Sequence, residues 1–194
     1  MRRIILLAVS VLLAPPGTAA AQHAHGGFIM AGQGGGGTDL VNARLGVNMG
    51  YTLEVGERTG PYLGGRTVLG IHWLRADQEG FRQRYGGTVE GGGGTLYDTG
   101  ADLEAGYGMG VVRAYGFVGI HYYQQFHAPA TVGSGPDEVQ VLRCKRETIG
   151  EAYGAGVQLR LTDEGAIVGE WYRGGGDDGV MRLSGTRFGL RWTL

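Results

Sequence analysis

Arg44-Leu45-Gly46-Val47-Asn48-Met49-Gly50-Tyr51-Thr52-Leu53-Glu54-Val55 alternates without exception. Leu45, Val47, Met49, Tyr51, Leu53 and Val55 fall on one side, and Arg44, Gly46, Asn48, Gly50, Thr52 and Glu54 on the other. A period of two over this length is the signature of a β-strand with one apolar face. A helix would scatter both sets around its axis, and each interior glycine would cost it about 1 kcal/mol relative to alanine. The polar face is unusual, because it is built from glycine and charge, with no lysine.

The same pattern recurs along the chain. Leu63, Thr67, Leu69, Ile71 and Trp73 oppose Tyr62, Gly64, Arg66, Gly70 and His72, and Ala101 to Val111 sets Leu103, Tyr107 and Met109 against Asp102, Glu104 and Gly106. Val118, Ile120 and Tyr122 oppose Phe117, Gly119, His121 and Tyr123, and Tyr153 to Leu161 alternates with Ala152 to Arg160. Ile167 and Trp171 oppose Val168, Glu170 and Tyr172, and Phe188, Leu190, Trp192 and Leu194 oppose Arg187, Gly189, Arg191 and Thr193. A shorter stretch at Gly27 to Gln33 completes eight strands. The connections alternate as well. Gly56 to Gly60, a corner at Val112-Arg113, and Asp163-Glu164-Gly165 are tight, whereas 34–39, 76–95, 128–147 and 174–179 are looser. Short turns on one side and longer loops on the other describe an up-and-down meander.

The 194 residues suit one domain. Glycine supplies 41 of them, several times the usual share of about 7 %. No G-X-Y period runs through the chain, so collagen is excluded. A net charge of −1 gives no basic field for nucleic acid. Met1-Arg2-Arg3, the apolar run Ile4 to Leu13 and Ala19-Ala20-Ala21 read as a signal peptide cut after Ala21. The expected domains are therefore residues 1–21 as leader and 22–194 as barrel. Export permits disulfides, but Cys144 is the single cysteine and reads as an unpaired loop residue.

Two architectures fit eight alternating strands: a soluble barrel with its apolar face inside, or a membrane barrel with that face toward lipid. Strands of about 10–15 residues exceed the usual soluble length and can cross a bilayer at a tilt. The charges of the polar face, Arg44, Glu54, Arg66, Asp102, Glu104, Arg160, Glu170, Arg187 and Arg191, are nearly balanced, as a narrow lumen would demand. Tyr51, Trp73, Tyr107, Tyr122, Trp171 and Trp192 sit toward the ends of the apolar face, where interface aromatics belong. The expectation is an all-β, eight-stranded antiparallel up-and-down transmembrane β-barrel in the cell outer membrane. The terminal strand, with Phe188, Leu190, Trp192 and Leu194 on one face, resembles the insertion signal of outer-membrane barrels; Leu194 stands where that class usually ends on Phe or Trp. The chain from residue 26 onward resembles the small barrels of the OmpA/OmpX-like class, without their peptidoglycan-binding domain. The resemblance implies outer-membrane lipid, lipopolysaccharide and the barrel-insertion machinery as partners, and a monomer.

An eight-stranded lumen is just wide enough to be filled by side chains. A plug of Arg–carboxylate pairs is expected, joined by His72 and His121 from the repeated Gly-Ile-His segments at 70–72 and 119–121. The two histidines could form a metal or pH-sensitive pair, but a third ligand is not evident, and no metal or other cofactor is expected. His23 and His25 lie in a glycine-flanked terminal segment and read as incidental. A lipid A deacylase would need a Ser–His arrangement; Ser134 and Ser184 are the serines after the leader, and neither sits in such a motif. The glycine runs at 34–37 and 91–94 lack the Lys-Ser/Thr of a phosphate loop. Arg82, Arg84, Arg143, Lys145 and Arg146 put positive charge in the long loops. The reading that results is a non-enzymatic barrel with a structural or surface-contact role through its extracellular loops. A narrow channel or ligand-binding barrel is the alternative. A lipid A-modifying enzyme and a soluble periplasmic lipid-binding barrel rank below it.

Overall fold

The computed structural model describes residues 20–35, 41–56, 58–87, 89–128, 130–132, 139–140, 145–176 and 182–193. Most of the expected leader, together with Ser134, Cys144 and Leu194, lies outside the described residues, as do the side chains of His23, His25 and Arg44. Eight long strands carry the fold: β1 (Ala20–Gly35), β2 (Val41–Gly56), β3 (Gly60–Ala76), β5 (Gly94–Met109), β6 (Val112–His127), β9 (Lys145–Arg160), β10 (Gly165–Gly176) and β11 (Arg182–Thr193). They close into a barrel in the order β1-β11-β10-β9-β6-β5-β3-β2, with antiparallel neighbours throughout. The ring is sealed by β1 against β11, where His23 pairs with Thr193 and Phe28 with Phe188.

The first strand is longer than its sequence pattern indicates. It runs through the expected cleavage point, with Ala20 and Ala21 opposite Val55 and Glu54 on β2. Its apolar and polar residues are too mixed to alternate, so pairing with two regular neighbours sets its length. The corner expected at Val112-Arg113 falls two residues earlier. Gly110 takes the left-handed conformation at φ 73°, which a two-residue hairpin turn requires. Val111 therefore leaves the strand and Arg113 becomes an inward strand position. At the β9–β10 turn, the Leu161 and Thr162 amides donate to the Gly165 carbonyl, and the Gly165 amide donates to Thr162 Oγ1 at 2.8 Å.

The described residues of the two long connections carry regular structure. The first holds helix α1 (Gln78–Tyr85) and β4 (Val89–Gly91); the second holds β7 (Ala130–Val132) and β8 (Val139–Gln140). These three short strands form a second sheet, β4-β7-β8. Phe81, Val89 and Ala130 make a small apolar core between helix and sheet, with Ala76 packed against it. Gln78 ties the two by donating to the Val89 carbonyl and accepting from the Val89 amide. The helix ends at Gly86, left-handed at φ 73°, whose amide donates to the Arg82 carbonyl.

The glycine excess has a packing cause. Inward aromatic rings face glycines on the neighbouring strands: Tyr62 pairs with Gly56 and Gly106, Tyr115 with Gly106 and Gly156, Tyr172 with Gly154 and Gly185. His121 likewise pairs with Gly100 and Gly150. A Cβ on Gly156 would lie 2.7 Å from the Tyr115 ring and 2.8 Å from the Glu170 side chain, and one on Gly154 2.5 Å from the Phe117 ring. On the outward side, a Cβ at Gly116 would meet nothing closer than 3.6 Å. Gly156→Ala is therefore predicted to destabilise the barrel by about 1–3 kcal/mol through overpacking, while Gly116→Ala stays within about 0.5 kcal/mol. Urea midpoints of the two variants in detergent micelles or vesicles check this; equal midpoints would contradict the assignment of space.

Candidate functional site: the ion-paired lumen and its belt

Alternation carries one residue of each pair inward, so the candidate site is built from side chains on six strands. Glu54, Arg66, His72, Asp102, Glu104, His121, Glu170, Arg187 and Arg191 are all buried inside the ring. Arg66 from β3 sits at the centre. Its Nε donates to Asp102 Oδ2 at 2.7 Å, its Nη1 donates to Glu170, and Glu104 Oε2 lies 3.6 Å away. Arg191 from β11 grips Glu104 with both terminal nitrogens at 3.0 Å and donates to Glu54 at 2.9 Å. Glu104 is fully buried and also accepts from the Tyr62 hydroxyl at 2.9 Å, so its charge is compensated from two directions. Tyr115 donates to Glu170 at 2.8 Å. Aromatic faces carry the guanidinium planes, with Arg66 stacked 3.7 Å over Phe117 and Arg187 4.0 Å over Tyr172.

His121 Nδ1 lies 2.5 Å from Asp98 Oδ1, and its Nε2 lies 2.9 Å from Asp102 Oδ1. Only the doubly protonated ring donates to both. Counted so, Arg66, Arg113, Arg187, Arg191 and His121 balance Glu54, Asp98, Asp102, Glu104 and Glu170 among the described buried residues. His72 does not join this hydrogen-bonded set; Asp98 Oδ2 is its charged neighbour at 4.0 Å. The two histidines thus meet through one carboxylate. Arg187 is held by stacking and by Glu170 at 3.7 Å, and its guanidinium makes no hydrogen bond among the described residues.

Not every expected member belongs. Arg160 is half-buried at the turn-side mouth, apart from the network, because it is the last residue of β9. Arg113, Asp98, Gln125 and Gln158 are buried inward, and the sequence pattern does not single them out. Arg113 donates to Glu54 and stacks 4.1 Å over Tyr62. The misplaced corner hides it, and the alternation of β5 is clear only from Ala101 onward, which hides Asp98.

The outward face is the reverse. Leu69, Leu103, Val118, Ile120, Val157, Phe188 and Leu190 are exposed, Ile120 at 67 % and Leu103 at 65 %. Aromatics flank this belt. Tyr51 and Trp192 are both level with Ala24 near the turn side, and Tyr107 lies two residues from the end of β5. Trp73 and Tyr122 stand toward the long-loop side and Trp171 near the middle of β10, with Tyr122 the most covered of the three. In water, a continuous apolar belt of this extent would drive aggregation; in a bilayer it is the seat of the protein.

Solved structures share this architecture. The chain superposes on a major outer membrane protein from Thermus thermophilus with a TM-score of 0.57 at 14 % identity, covering 91 % of this chain and 100 % of that one. The fold is that of a small outer-membrane β-barrel. Ail, the attachment invasion locus protein of Yersinia pestis, in complex with the heparin analogue sucrose octasulfate, gives 0.54 at 12 % identity, covering 91 % of this chain and 100 % of that one. The outer membrane protein OprG from Pseudomonas aeruginosa gives 0.51 at 12 % identity, covering 92 % and 98 %. No family model and no curated protein matches the sequence. With its lipid-facing belt, a barrel of this fold is placed in the outer membrane, in contact with outer-membrane lipid.

A cross-section filled by these side chains makes the lumen a packed polar core. Taking Arg66 away strands Asp102 and Glu170 without their main partner. Arg66→Met is predicted to cost about 3–5 kcal/mol of folding free energy, the usual loss for breaking a buried pair. Arg58→Gln, which removes an exposed pair with Asp163, is predicted to cost less than about 1 kcal/mol. Equilibrium unfolding in micelles checks both, and equal losses would contradict a lumen held by buried charge.

Proposed function

We propose that this chain is a non-enzymatic, monomeric outer-membrane protein that holds a folded contact surface outside the cell on a rigid barrel. The observation that carries this reading is the cap: the described residues of the two long connections form α1 and a three-stranded sheet with its own small core. Passive connectors would need no such core. In outer-membrane barrels the short turns face the periplasm and the long loops face outward, which puts the cap on the cell surface. The filled lumen supports a scaffold role over a channel. The likeness to Ail is a likeness of fold, so the surface-contact role rests on the cap itself.

The remaining parts follow from the same orientation. The leader is removed after Ala21 and the mature chain starts at Gln22, both termini lying at the periplasmic rim. Phe188, Leu190 and Trp192 stand outward on β11, where the insertion machinery reads a terminal strand. Arg75 and Arg173 follow Trp73 and Trp171 on the outward face and are exposed, and Arg75, next to the loop end of β3, is suited to lipopolysaccharide phosphates.

Trypsin applied to intact cells is predicted to cut after Arg82 and Arg84, which lie exposed on α1, and to leave the barrel fragments membrane-bound. Mass spectrometry of the released peptides checks it. Cleavage after Arg58 in place of these sites would show that the barrel is inverted or that the cap is not outside. If the cap is a contact surface, replacing residues 78–92 with a short turn leaves a folded barrel and removes the adhesion of expressing cells to their surface or partner; unchanged adhesion would overturn that role.

A further inference from the structure

The turn side of the barrel holds a vestibule whose floor is the outer end of the lumen network. In the ring order, the β2–β3 turn and the β9–β10 turn lie on opposite sides of the mouth. Arg58 on the first donates to Asp163 on the second at 3.1 Å, so one ion pair spans the opening. Beneath it lies a pocket lined by Glu54, Tyr62, Arg113, Gln158, Arg160 and Arg191, with the two turns forming its rim. The floor is electrostatically settled, because Arg113 and Arg191 both engage Glu54. The wall is not. Arg160 is half-buried, lines the pocket, and has no ion pair among the described residues.

The ion pair at the rim shows which chemistry the mouth accepts. Asp163 presents a carboxylate to an arginine fork, and both partners are largely exposed, with side chains 67 % and 86 % accessible. Such a pair is worth little and exchanges readily. A planar guanidinium matches carboxylate and phosphate oxygens equally well. The lining carboxylates are Glu54, Asp163 and Glu164. Glu54 is held by the floor arginines and Asp163 by Arg58, while Glu164 is exposed on the turn.

We propose that this vestibule is a binding site for an oxyanion, a carboxylate or phosphate group of a ligand arriving at the turn-side mouth. The anion sits between Arg160 and Arg58 and displaces Asp163 from the Arg58 fork. That the ligand comes from the periplasm rests on the orientation proposed above; the site itself does not, and it is tested in micelles where orientation plays no part.

The experiment uses the isotope-labelled full barrel in detergent. Amide shifts of Thr162, Gly165 and Ala166 are followed while sodium phosphate, and separately sodium acetate, replaces sodium chloride at constant ionic strength. Saturable shifts confined to the two turns are expected. Arg160→Gln should weaken the binding about tenfold, the worth of one charge-assisted hydrogen bond. Asp163→Asn should tighten it, since the internal competitor is gone; a merely structural latch would show no such gain. Tighter phosphate than acetate assigns a phosphoryl ligand, and the reverse a carboxylate. Shifts that do not saturate, or that are unchanged in both variants, overturn the proposal.

Discussion

Inside a bilayer an unpaired backbone amide or carbonyl has no water to turn to, and each costs several kcal/mol. A sheet there must have no edge. The pairing of β1 with β11 meets that demand: twelve residue pairs from His23–Thr193 to Gly35–Arg182 join the ends of the meander into a ring. Everything else in the molecule follows from closing eight strands and no more. The outside becomes a continuous apolar belt, and the inside becomes a space too small for bulk water.

A closed narrow lumen converts inward residues into core residues. Tyr62, Tyr115, Phe117, Tyr123 and Tyr172 fill it, and the glycines opposite several of these rings give them room. The charges cannot stay solvated there, so each is matched. Arg66 and Arg191 are the two hubs, and Glu104 lies between them, 3.6 Å from the first and 3.0 Å from the second. Such a core resists deformation, because breaking one contact leaves a buried charge behind. Helix α1 and the short sheet β4-β7-β8 belong to the connections at one end of this rigid core.

Much of this was legible in the residues. Strict alternation in β2, β5, β9 and β11 identifies the strands and their faces, and the shift from lysine to glycine and arginine on the polar face distinguishes a lumen from a wet surface. What escaped has physical reasons. The turn closes at Gly110-Val111, two residues before the expected corner, so Arg113 is a strand residue facing inward and not part of the turn. Arg160 has the parity of a lumen residue, yet the strand ends there. Helix α1 buries only Phe81 and so carries almost no periodic signal. Strands of two or three residues, such as β4, β7 and β8, have no period at all; their pairing is decided by the long-range contact between two loops.

The central claim is that the apolar face looks outward to lipid and the charged face inward. All three tryptophans of the chain, Trp73, Trp171 and Trp192, stand on the outward face. The direct measurement is tryptophan fluorescence of the barrel folded into vesicles whose acyl chains carry bromine. The account predicts strong quenching by the brominated lipid and little by aqueous acrylamide. Emission untouched by bromine, from a chain that stays soluble without detergent, would mean that the two faces are exchanged.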